Sequence, residues 1–257
     1  MRKKTIILIL ILMGSLSAYA EDMQKYLRDT QVLARQGKHQ EALERYIWFH
    51  NHALEHEPAA MYGVRLSFAL EYWRQLGEVY PPALAALKKT RDDKTELMEK
   101  GKGNRELFHD VLALNRTLNN SRKTVDLFQK LDQEQEELAK QCWDIAEETV
   151  IDAKEYELAG KYIGDPIRAF DKVKETYDEM KAMDDEESMG VEFKTFYQNS
   201  FVEDALRLIK VSLALDNAEA ARKVQAKALA VLDDKRLHDC VPKQTKEEAQ
   251  QKDSSDK

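Results

Sequence analysis

His50, His52 and His56 stand close together beside Glu55 and Glu57, and this cluster offers the clearest chance of metal chemistry in the chain. On a helix, His52 and His56 are four residues apart and share one face, a spacing that can hold a divalent transition metal such as Zn²⁺. His50 points elsewhere. The face supplies two imidazoles and at most one carboxylate, without the His-Glu-x-x-His order that pairs a zinc site with a general base. His52 and His56 are therefore the only candidate ligands. The solvated end of a helix explains them as well, so no metal or other cofactor is expected.

Catalytic chemistry finds less support. The chain has no Gly-rich phosphate loop, no Gly-flanked nucleophilic Ser and no Cys-x-x-Cys. Paired carboxylates occur at Asp92-Asp93, from Asp184 to Glu187 and at Asp233-Asp234, each among polar neighbours at the end of a helical pattern, where solvated charge is the rule. The protein is not expected to be an enzyme. Binding residues are easier to nominate. Trp48, Phe49, Tyr62, Tyr72, Trp73 and Tyr80 crowd one stretch; most should fill a core, and Trp48 and Tyr72 are the two expected to anchor a partner. Arg65 and Arg74 lie nine residues apart and could clamp a carboxylate, with structural ion pairing as the competing use.

Apolar residues at three- and four-residue spacing run through most of the chain and predict helices throughout. Met23, Tyr26, Leu27, Thr30, Leu33 and Ala34 mark a first helix ending at Gly37, and Ala42, Leu43, Tyr46, Ile47, Phe49 and Leu54 a second closed by Pro58. A third is expected from Met61 to Gly77, and one long helix from Lys123 to Ile151, where no Gly or Pro intervenes. The run Gly37-Lys38-His39-Gln40-Glu41-Ala42-Leu43-Glu44-Arg45-Tyr46 resembles the turn and second helix of a tetratricopeptide repeat. In that pattern Gly ends one helix, a small Ala lets the next approach closely, and an aromatic fills the groove beside it. Ala159 and Ala221 hold the small position in two further hairpins, 117 and 62 residues along. Repeats of about 34 residues would not give the first interval, so the array is irregular. The resemblance implies an all-α fold of antiparallel helix hairpins stacked as an irregular solenoid. It also implies a concave face that holds a protein or peptide.

At the amino terminus, Arg2, Lys3 and Lys4 precede an apolar run from Thr5 to Met13, and Ala18-Tyr19-Ala20 supplies small residues before Glu21. Residues 1–20 read as a cleaved bacterial signal peptide, too short in its apolar part for a stable membrane span. The expected location is the periplasm or the exterior. Loss of those three cations takes the net charge from −7 to −10, and no basic cluster offers a nucleic-acid face. The mature chain then divides into hairpins over 21–100, a second helical region over 104–240 beyond Gly101-Lys102-Gly103, and a polar tail over 241–257 expected to be disordered. Cys142 and Cys240 could pair in an oxidising compartment, although Cys142 reads more simply as a small core residue. The function expected is a non-enzymatic protein- or peptide-binding scaffold of the cell envelope. The alternative is a helical sensor that closes on a small ligand or metal at His52 and His56.

Overall fold

The computed structural model describes residues 23–56, 58–187 and 189–242. The expected signal segment lies outside these residues, as does all of the expected tail except Val241 and Pro242. The fold is all-α, with no strand among the described residues. The chain forms two compact units, Met1–Ala146 and Glu147–Lys257.

The first unit contains α1 (residues 23–35), α2 (His39–His56), α3 (Pro58–Leu66), α4 (Phe68–Val79), α5 (Pro81–Glu99), α6 (Arg105–Thr117) and α7 (Arg122–Glu134). Next comes α8 (Glu136–Asp152), within which the division between the units falls. In this unit α2 packs on α3 and α4, α4 on α5 and α6, and α5 on α6 and α7. Fully buried Phe49, Met61, Leu70, Trp73, Leu87 and Leu114 form its core, with Met23 and Leu27 of α1 joining the same cluster. The second unit contains α9 (Tyr156–Ile163), α10 (Pro166–Glu187), α11 (Val191–Ala214), α12 (Ala218–Val231) and the short α13 (Lys235–His238). Here α10, α11 and α12 pack against one another, around Phe170, Tyr177, Tyr197 and Phe201. Phe196 of α11 is 57% exposed.

Five helix ends share one geometry. At the end of α1, Lys38 N donates to Leu33 O and Gly37 N to Ala34 O, with Gly37 at φ 79°. This double bond pattern closes a helix by turning one residue left-handed, a conformation that costs Gly nothing. Gly101 ends α5 in the same way, and so do Asn119, Lys154 and Asp216 after α6, α8 and α11, although none of those three is Gly.

Two helices predicted as continuous are broken. The expected helix through Leu76 is interrupted at Ser67 (φ −126°, ψ −90°), whose hydroxyl donates to Gly63 O at 2.7 Å. Such a local bond competes with the helical ladder. Gly77 does not end the helix; it lies inside α4 as a close contact, where a Cβ would come within 2.9 Å of Leu84 Cβ on α5. The expected helix from Lys123 to Ile151 breaks at Gln135 (φ −144°, ψ 54°), and the Gln135 side chain donates instead to Met98 O at 2.9 Å. A tertiary bond thus overrides local helix propensity.

Both cysteines are free thiols. Burial pushes the Cys142 thiol up to about 12.

Candidate functional site

An open groove of about 510 Å³ lies among α1, α2 and α4. Its floor is apolar: Tyr46 and Leu76 are each 3% exposed, and Ala34, Tyr72 and Val79 complete the lining around them. Gln31, Arg35, His39 and Gln75 stand around it as polar groups. The local sequence accounts for this arrangement. The turn at Gly37 returns the chain so that α2 lies on α1, and Ala42, fully buried, has no side chain long enough to hold the two apart. Tyr46, one turn further on, fills the floor. Burial first, and then the neighbouring Tyr72, push the Tyr46 hydroxyl up to about 12 against the opposing pull of Arg35. It therefore stays protonated and able to donate across the physiological range. Tyr80, between α4 and α5, donates its hydroxyl to Gln40 at 2.7 Å and packs on the His39 ring at 5.6 Å, tying α2 to the end of α4.

Of the two aromatics singled out in the sequence, Tyr72 lines this groove and Trp48 does not. Half-buried Trp48 has Tyr26 of α1 at 4.9 Å between ring centroids, and His52 and His56 at 5.2 and 5.8 Å. The two imidazoles therefore do share a face, and they share it with an indole. His52 Nδ1 lies 3.1 Å from Glu55 Oε1, while Glu57 falls outside the described residues. Among the described residues no three His, Cys, Asp or Glu side chains converge as a metal site. The small positions Ala159 and Ala221 are both fully buried in the second unit.

Arg65 and Arg74 are separated by the break at Ser67 and fall on different helices, α3 and α4. Arg74 pairs with Glu71 and Glu78 of its own helix at 2.8 and 2.7 Å, and its hydrogen bonds hold the Glu71 carboxyl down at about 2. Arg65, 4% exposed, reaches 45 residues along the chain to Asp110 of α6, with Nη1 at 3.0 Å from Oδ2 and Nη2 donating to Oδ1. Lys94 of α5 also donates to Asp110 Oδ2, at 2.7 Å. Burial alone would raise the Asp110 carboxyl, yet Arg65 and Lys94 outweigh it and hold the group below the usual carboxylate range. His50, 3% exposed, completes the cluster with Nε2 4.0 Å from Asp110 Oδ2, beyond hydrogen-bond reach. Burial, reinforced by Arg65 and Lys94, drops the His50 imidazole to about 3, and the imidazole is neutral at ordinary pH.

Sequence reading passed over this cluster because its members come from four helices. One signal was present: Asp110 lies in the apolar run Phe108, Val111, Leu112 and Leu114, where an acid in a buried stripe demands a cationic partner. No protein-family model, curated protein or solved structure matches the chain. Among the described residues, no helix is long and apolar enough to cross a membrane.

Proposed function

We propose that the protein is an exported, non-enzymatic scaffold of the bacterial envelope, built from tetratricopeptide-like helix hairpins, whose groove among α1, α2 and α4 holds a segment of a partner protein. The groove itself carries this reading: an open trough of about 510 Å³ with an apolar floor at Tyr46, Tyr72 and Leu76 and hydrogen-bonding groups around it. A partner segment fits it with one apolar side chain on the floor and a carbonyl or carboxylate at Gln31 and Arg35. Support for hairpins of the tetratricopeptide kind comes from the helix end at Gly37 and from the buried small residues Ala42, Ala159 and Ala221. Export rests on the cationic and apolar start from Arg2 to Ala20.

A photo-crosslinking residue at exposed Gln75, compared with one at exposed Lys223 of the second unit, tests the reading in an envelope fraction. The expected result is a discrete adduct from Gln75 alone, lost in Tyr72→Ala because truncating a central aromatic anchor costs on the order of 2 kcal/mol. Equal labelling from both positions, or an adduct that survives Tyr72→Ala, refutes the groove as the binding face.

A further inference from the structure

Four helices of the first unit, α2, α3, α5 and α6, border a second cavity of about 260 Å³ that shares no lining residue with the groove. At about 30 Å³ for each water molecule of the liquid, this is room for a small organic molecule and too little for a peptide.

Its interior charges are Arg65, Lys94 and Asp110, two cations against one anion, with Glu106 on the exposed rim. Hydrogen-bond accounting gives a surplus of the same sign. Asp110 accepts from both terminal nitrogens of Arg65 and from Lys94, so most of its carboxylate's acceptor capacity is used. Lys94 has three N–H donors and gives one of them to Asp110 at 2.7 Å. Arg65 Nε and both ring nitrogens of His50 are buried with no hydrogen-bond partner. Buried polar groups are nearly always satisfied, and these three unsatisfied atoms belong to two adjoining side chains that line one cavity. The surplus of donors and of positive charge selects an anion over a cation.

We propose that this cavity binds a small organic monocarboxylate, its carboxylate held by Lys94 and Arg65 and a second polar oxygen meeting His50. Arginine suits the task because its terminal edge already faces Asp110, leaving the Nε side to a second acceptor. The mouth lies at the exposed lining residues Asn51, Asn104 and Glu106, and of the two side chains Lys94 is the more accessible, 18% exposed against 7% for Asp110. A metal ion would meet a guanidinium and an ammonium with one interior carboxylate to offset them. The site is separate from the proposed peptide groove and adds a ligand that would brace α2 against α3, α5 and α6.

The test titrates the intact protein, labelled with ¹⁵N-histidine, with acetate, lactate and pyruvate, using lactamide and inorganic phosphate as comparisons. Binding is expected to shift one imidazole resonance saturably, identified as His50 by its loss in His50→Gln. It should also raise Tm by about 5 °C at a hundredfold excess over Kd. Lactamide should do neither. Lys94→Gln, which keeps the Arg65–Asp110 pair, should weaken binding at least tenfold, and Tyr72→Ala should leave it unchanged, so this site and the groove fail independently. The proposal is overturned if none of the three carboxylates moves the His50 resonance, if lactamide or phosphate matches lactate, or if Lys94→Gln binds as tightly as the parent.

Discussion

Both units have apolar cores, but the first also buries a set of polar and charged side chains. In the first, Thr30, His50, Arg65, Arg91, Asp110, Asn115 and Thr124 are all buried, with Arg91 donating to Asn115 and Asn115 to Thr124, each at 3.0 Å. In the second, among the described residues, the one buried side chain of that kind is Ser212, which donates its hydroxyl to Leu208 O of its own helix. Its interior is held by apolar and aromatic packing, with Phe170 and Phe201 at 5.9 Å and Tyr177 and Phe201 at 4.7 Å between centroids. Apolar packing holds a fold without requiring particular partners, whereas a buried ion cluster must be matched group for group and seldom improves on an apolar core. The first unit therefore carries a cost that stability alone does not explain, and the second does not.

Asp110→Ala should break this contrast most severely. It leaves Arg65 and Lys94 uncompensated and should cost the first unit about 3–5 kcal/mol. Trp48, Trp73 and Trp143 all belong to the first unit, so tryptophan fluorescence reports that unit alone while far-ultraviolet circular dichroism reports both. The expected outcome is an early fluorescence transition with much of the helical signal retained at that temperature. A single coincident loss of both signals would show that the units do not melt separately.

Acid sharpens the same difference. His50 is depressed from 6.5 to about 3 in the folded chain, so below pH 6.5 the unfolded chain takes up a proton that the folded one refuses. That contribution is present in full above pH 6.5 and is lost as pH falls toward 3, by about 2 kcal/mol at pH 5. Asp110, also depressed, adds a loss of the same sign at lower pH. In the second unit burial raises the Asp204 carboxyl despite Arg207, which favours folding in acid and weakens as pH rises. Fluorescence-detected Tm should fall between pH 7 and pH 5, and His50→Leu should flatten that fall; an unchanged slope would remove His50 as its cause.

Smaller effects come from the backbone. Gly77→Ala forces a methyl group to within 2.9 Å of Leu84 Cβ and should cost about 1–3 kcal/mol in the first unit, measured by urea denaturation. Lys154→Gly acts on the second unit and in the other direction. Lys154 holds φ at 64°, and replacing it should stabilise by about 1 kcal/mol, readable as a higher midpoint at unchanged m.

Legibility in the sequence followed the range of the interactions. The turn at Gly37, the start of α5 at Pro81-Pro82 and the small buried residues Ala42, Ala159 and Ala221 are local devices, and each announces itself by residue type. The end of α8 at Lys154 does not, because a lysine forced left-handed by its surroundings resembles any helical lysine. The break at Gln135 depends on a bond to Met98, 37 residues away, and Arg65 finds Asp110 only across 45. A search for chemistry along single helices could pair Arg65 with Arg74, or His52 with His56. It had no means of assembling four residues from four helices.

One thiol turns the packing of the first unit into a measurable rate. Cys142 is wholly buried and its sulfur is held in the unreactive protonated form, so an alkylating reagent added to native protein should modify half-buried Cys240 first. Cys142 should react only when its part of α8 swings open. Its slow alkylation then becomes a clock for that opening, and any occupant that braces the helices of that unit should make the clock run slower.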